Sequence, residues 1–221
     1  MATTQEREVE RGQAVYTPLT LALGYDLVVL GLSNPLIWKC PTSRLLGMYD
    51  EHVSANHLDV GVGSGYYLDR CRFPARAPRI ALMDLNPHSL RHAARRIARY
   101  RPEIYRQNVL EPIAAQPAKF DTVAMTYLLH CVPGAIQDKA VAFDHLRALL
   151  NPGGRIFGAT LVHGDGPRGR VARRLMELYN RKGIFHNSLD TAESLAQALA
   201  ARFADSKVDL VGCAALFWAR T

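Results

Sequence analysis

The sequence predicts an α/β fold: a mostly parallel sheet with helices on both faces, one antiparallel strand near the edge, and a helical cap at the N-terminus. Three observations carry this. Short apolar runs alternate with amphipathic helical stretches from about residue 54 onward. Gly61, Gly63 and Gly65 sit at the first strand-to-helix junction, spaced G-x-G-x-G behind Asp59. The last two apolar runs, "KVDLVG" and "AALFWAR", have almost nothing between them. A parallel crossover needs about a dozen residues or more, so that final pair must be an antiparallel hairpin.

Residues 1–12 read as a polar tail, and about 14–53 as a helical, rather apolar segment with stops at Asn34-Pro35 and Cys40-Pro41-Thr42. This segment carries no strand of its own. Residues 1–53 are therefore expected to be a tail and cap packed over a sheet domain at 54–221. "HLDVGV" is the first strand, and "GYYLDRC" begins a helix. "RIALMDL" is a strand. "NPHSLRHAARRIARY" is a helix with Asn86 as N-cap and Pro87 at its first position, where a missing N–H costs nothing. "IYRQNV" is a short strand and "FDTVAMTY" a buried one. "DKAVAFDHLRALL" has apolar residues at helical spacing and is stopped by Asn151-Pro152-Gly153-Gly154. "RIFGATLV" is a strand. "RVARRLMELYNRK" and "TAESLAQALAARF" are helices, the second led by Asp190 with Glu193 three residues later, the spacing of a capping box.

At 221 residues, with 48% hydrophobic and 21% charged side chains, the chain suits one globular unit with a real core. No apolar run reaches the roughly 18 residues of a membrane span. The longest candidate, "LALGYDLVVLGLSNPLIW", is broken by Gly24, Asp26, Gly31, Asn34 and Pro35. The charged start "MATTQEREVERG" lacks the apolar stretch of a secretory signal. Cysteines 40, 71, 131 and 213 are scattered and form no C-x-x-C pair, so reduced thiols, a cytoplasmic setting and no metal site are expected. The formal charge of +7 is clustered in Arg91, Arg95 and Arg99, one helix face, and in Arg168, Arg170, Arg173 and Arg174. A solvated helix face is the expected meaning, and a nucleic-acid partner the lesser reading. The sequence sets no oligomeric state.

In such sheets ligands bind beyond the carboxyl ends of the strands. Glycine there permits a tight turn and lets a ligand approach the main chain. The dinucleotide fingerprint is G-x-G-x-x-G, but here the spacing is G-x-G-x-G behind Asp59, and an acid beside the loop suits a cationic ligand better than a diphosphate. The second strand ends in Asp84, placed to accept from both hydroxyls of a ribose, with Leu85 next to it. The third ends in "QNVLEP", where Asn108 can accept from an adenine amino group and Val109 can line the ring.

With these pieces in order, the sequence resembles the class I S-adenosylmethionine-dependent methyltransferases. The matching stretches are "LDVGVGSG", "ALMDLNP", "RQNVLEP", "FDTVAMTYLLHCV", "LLNPGGRI" and the closing hairpin, over roughly 55–221. The resemblance implies a seven-stranded Rossmann-like sheet and S-adenosylmethionine as methyl donor. It implies Asp59 and the three glycines around the methionine part, Asp84 on the ribose, and Thr126 at the end of the fourth strand within the same site. Asn108 departs from the family's frequent Asp.

The resemblance leaves the acceptor open among O, N and C nucleophiles. "TYLLHCV" stands where amino-group methyltransferases carry N/D-P-P-Y/F, which argues against a nucleobase acceptor. The metal-dependent catechol pattern is absent too. A small, fairly apolar acceptor is expected, walled by "TYLLHCV" and "GIFH". An acidic nucleophile needs a base. His130, just past the fourth strand, is the first candidate and His163, after the fifth, the second; His186 reads as a residue before a helix cap and Cys131 as a buried spectator. Among the cap aromatics Tyr16, Tyr25, Trp38 and Tyr49, the first two are expected to touch the ligand. The competing readings are an RNA or protein methyltransferase using the arginine faces, and a protein that binds the nucleoside without transferring a methyl group.

Overall fold

The apolar runs become seven strands: β1 (Asn56–Val60), β2 (Arg79–Asp84), β3 (Glu103–Arg106), β4 (Phe120–Thr126), β5 (Leu150–Leu161), β6 (Asp205–Val211) and β7 (Ala214–Arg220). This is a computed structural model, and it describes residues 33–114, 117–164 and 168–221. The helices among these residues are α1 (Thr42–His52), α2 (Tyr66–Arg70), α3 (Pro87–Arg96), α4 (Ile136–Lys139), α5 (Val141–Ala148), α6 (Arg170–Arg181) and α7 (Ala192–Ala200). None is long and apolar enough to cross a membrane.

The strands form one sheet in the order β3-β2-β1-β4-β5-β7-β6. All neighbours are parallel except β7, which runs antiparallel to both β5 and β6. One reversed strand, second from the edge, is what the closing hairpin demanded, and Gly212 at φ 61° makes its turn. The sheet is apolar on both sides. In β2, Ala81 and Met83 pack with Phe143 and Leu146 of α5, while Ile80 and Leu82 pack on the opposite face with Leu90 of α3 and Tyr49 of α1. Two cores therefore clamp the central strands, and their carboxyl ends are held rigidly in one row.

Local chemistry explains the start of α3. The Asn86 side chain accepts from the His88 amide at 2.8 Å, with Pro87 opening α3 as expected. Three expectations need correction. The stretch 138–150 is not one helix, because α4 and α5 break at Ala140 and β5 already begins at Leu150. Asn151 to Gly154 do not stop a helix ahead of the strand; they lie within β5, as an irregularity in its register against β4. These four residues bulge out of the ladder, which resumes at Arg155, and Gly153 at φ 73° allows the kink. The cap of α7 is Thr191, which exchanges hydrogen bonds with Ser194, and not Asp190 with Glu193. Both pairs have capping spacing, but Asp190 is drawn inward by Lys139, Nζ to Oδ2 2.5 Å, with both side chains fully buried.

The arginine clusters are solvated except for Arg168, which is half-buried and donates to the Val162 carbonyl. Arg91, Arg95, Arg99, Arg170, Arg173 and Arg174 are exposed, and Arg99 pairs with Asp69 at 2.6 Å.

Candidate active site

Two adjoining clefts open at the carboxyl ends of β1, β2 and β4. One is lined by Gly61, Gly63, Asp84, Leu85, Asn108 and Val109, together with Tyr127 to Pro133 except for Leu129 and His130. The other is lined by Tyr49, Asp59, the turn from Gly61 to Gly65, Thr126 and Tyr127. Nine residues singled out in the sequence are thus brought together: Asp59, Gly61, Gly63, Gly65, Asp84, Leu85, Asn108, Val109 and Thr126. Tyr16 and Tyr25 fall outside the described residues.

The glycines sit at φ 72°, 51° and 72°, left-handed backbone that L side chains rarely adopt. Two of them also meet packing limits. A Cβ on Gly61 would lie 3.0 Å from Leu128, and one on Gly65 would lie 3.0 Å from Ala93 of α3. The turn is therefore closed down on its neighbours.

Asp59 is 4% exposed and accepts a hydrogen bond from the Tyr49 hydroxyl at 2.7 Å. His57 stands behind it, Nε2 3.7 Å from the carboxylate and Nδ1 2.9 Å from Thr122 Oγ1. Burial, and then the charge of Asp59, push the Tyr49 phenol well above its usual range, so it stays protonated and donates. Its ring stacks on Tyr67 at 5.0 Å. Helix α1 is thereby tied to the floor of the site through one phenol. Among the cap aromatics named from the sequence, the described structure brings Tyr49 to the cleft.

Asp84 Oδ1 accepts from the Asn86 amide at 2.8 Å. Burial lifts its carboxyl to about 6, against the pull of the Asn86, Val62 and Gly63 amides. Asn108 is already engaged at both ends: Oδ1 accepts from the Leu110 amide at 3.1 Å and Nδ2 donates to Glu111 at 2.9 Å. Its amide group holds the turn after β3, and one lone pair on Oδ1 is left for a ligand.

His130 and His163 are placed differently from one another. His130 is 4% exposed, and its Nδ1 accepts from the Leu161 amide at 3.3 Å. Its ring packs edge-on to Phe185 at 4.6 Å and Tyr127 at 5.6 Å. Burial, with Lys139 nearby, takes its pKa down to about 3. His163 is half-buried in a separate cleft with Glu177, Asn180, Arg181 and Ser188. Burial first, then Arg168, lower its pKa against the pull of Glu177. Cys131 lines the larger cleft, but burial raises its thiol to about 12 and keeps it protonated. Among the described residues no group of three or more His, Cys, Asp or Glu could hold a metal ion.

Sequence reasoning missed the Lys139–Asp190 pair. The Lys139 ammonium also donates to the His186 carbonyl at 2.8 Å, and the His186 amide donates to the His130 carbonyl. A Lys and an Asp 51 positions apart leave no local signal of pairing.

Comparison with known proteins gives these geometries their context. Residues 58–156 match the family model described as "Methyltransferase domain". The chain is 42% identical to demethylluteothin O-methyltransferase of Streptomyces thioluteus, an alignment covering 98% of this chain and 94% of that one. The chain belongs to the class I S-adenosylmethionine-dependent methyltransferases. A second relative, the N-methyltransferase vrtF of Penicillium aethiopicum, is 36% identical over 81% of this methyltransferase and 76% of its own length. Among solved structures, the DhpI–SAH complex superposes on the methyltransferase with a TM-score of 0.68 at 15% identity, covering 100% of this chain and 98% of that one, a likeness of fold.

Proposed function

We propose that the enzyme methylates a hydroxyl group on a small, fairly apolar molecule. The larger cleft would hold the adenosine half of the donor, with Asp84 on the ribose and Asn108 and Val109 at the base. The smaller would hold the amino-acid half, against Asp59, Gly61, Gly63, Gly65 and Thr126. The carrying observation is the full-length similarity to an O-methyltransferase at 42% identity. The cleft chemistry supports it: a buried carboxylate at one end for an ammonium, and an acid and apolar walls at the other for a nucleoside.

When bound, S-adenosylmethionine supplies an electrophilic methyl group on a positively charged sulfur. The chain aligns the partners and excludes water. Tyr49 fixes Asp59, and the turn after β1 brings backbone to the ligand. Of the two histidines, His163 rather than His130 is left to take the acceptor proton, which requires the acceptor hydroxyl to bind between the donor clefts and the separate cleft of His163. A ring with Nδ1 committed to Leu161 and a pKa of about 3 is a poor base for a hydroxyl. The half-buried His163, its pKa lowered, is unprotonated at neutral pH.

An amine acceptor is the second reading, favoured by the N-methyltransferase relative. Incubation with methyl-labelled donor and matched panels of hydroxylated and aminated aromatics separates the two. Label on hydroxyl oxygen is expected; label confined to amines, or to RNA or protein, would overturn the reading. In the active panel, His163→Gln should lower kcat by about 100-fold with donor affinity unchanged. His130→Gln should instead lower thermal stability, and equal kcat losses in both variants would remove the assignment.

A further inference from the structure

We propose that Tyr127 lies against the sulfonium of the donor and sets the preference for the charged donor over its neutral product; this rests on the donor placement above. In S-adenosylmethionine the sulfur joins the ribose to the amino-acid tail, so it belongs where the two clefts meet. Three residues line both clefts: Gly61, Gly63 and Tyr127. The glycines bring no side chain. Among the described residues, the side chain common to both halves of the site is therefore that of Tyr127.

Its backbone is unusual in the same place. Tyr127 sits at φ 59°, a left-handed conformation costly for a bulky L residue. A turn alone would be served better by Gly or Asn. The strain is held by the Tyr127 amide, which donates to the Ala159 carbonyl on β5 at 2.7 Å, and by the ring resting edge-on against buried His130 at 5.6 Å and 74°. The fold thus bears a local cost to keep an aromatic residue beside the junction, with its hydroxyl held against buried Cys40.

The chemistry of the junction changes during transfer. A lone pair of the acceptor forms the new bond to the methyl carbon, the carbon–sulfur bond breaks, and its electron pair stays on sulfur, which becomes a neutral thioether. An aromatic ring attracts the sulfonium cation more strongly than the neutral thioether, which keeps only a weaker favourable contact with the ring. Tyr127 therefore favours the charged donor over the neutral product.

Titration calorimetry on the full chain tests this, with S-adenosylmethionine and S-adenosylhomocysteine as ligands and Tyr127→Phe, Tyr127→Leu and Tyr127→Asn as variants. Leu and Asn should weaken the donor about tenfold and move the product by less than about twofold, whereas Phe should keep both. Asn tolerates left-handed backbone, so it removes the ring even if Leu fails to fold. Equal weakening of both ligands, or of neither, would overturn the inference. A wild-type protein that binds neither ligand would instead overturn the donor placement on which it rests.

Discussion

Asp84→Asn should make the ligand-free protein more stable and a worse donor binder at once. Burial moves the Asp84 carboxyl from 3.8 to about 6, so the folded state carries an ill-solvated charge at neutral pH. Each pKa unit is worth about 1.4 kcal/mol, which sets a ceiling of roughly 3 kcal/mol on that cost. Water in the open cleft reduces it, and about 1–2 kcal/mol is expected. Asparagine keeps the size and the oxygen that accepts from the Asn86 amide, while its NH2 forfeits the carboxylate's hold on the Val62 and Gly63 amides, a further reason the gain stays below the ceiling. In a chain of this size the gain corresponds to a rise in Tm of about 3–6 °C at pH 7.5. The sign depends on pH. The folded pKa lies above the unfolded one, so the cost is absent below about 3.8, grows as pH rises, and is full only above about 6. Melting curves at pH 4.5 and 7.5 should therefore show the gain shrinking at the lower pH. Loss of charge-assisted hydrogen bonds to the ribose should weaken the donor by about 10- to 100-fold in calorimetry. Wild-type affinity should also fall as pH drops through about 6. A variant that melts lower at pH 7.5, or one that gains equally at both pH values, would refute the reasoning.

Two further substitutions probe the frame of the site. Lys139→Ala strands the buried Asp190 carboxylate and should cost about 3–5 kcal/mol in urea unfolding, while Lys139→Met combined with Asp190→Leu should recover most of that loss. Gly65→Ala places a Cβ 3.0 Å from Ala93 at φ 72° and should cost about 2–4 kcal/mol, read by the same urea midpoint; an unchanged midpoint would mean the turn moves freely away from α3.

The parts of the molecule that could be read from sequence are those written in local chemistry. The glycine spacing behind Asp59, the Asn86-Pro87 cap and the closing hairpin each depend on residues a few positions apart, and each is found in place. The cleft-lining residues follow because strand ends in a parallel sheet line up by topology alone. What was misread involves competition between distant partners. Asp190 had cap spacing, but a buried ammonium on α4 outweighed it. Asn151 to Gly154 had the composition of a stop, but β4 pairs with Leu150 before them and Arg155 after them, so they became a bulge inside the strand. His130 stands at a catalytic address in the sequence, yet only the Leu161 amide on β5 reveals that its nitrogen is in use. Tyr49 was one aromatic among four, and nothing nearby distinguished it until the fold set it 2.7 Å from Asp59.

The sheet order divides inheritance as well as space. No described residue beyond Pro133 lines either of the two clefts, although β5, β6, β7, α6 and α7 all follow it. The later part of the chain carries the cleft of His163, Glu177 and Ser188 instead. Substitutions in that later stretch can therefore alter one surface while both strand-end clefts keep every residue that lines them.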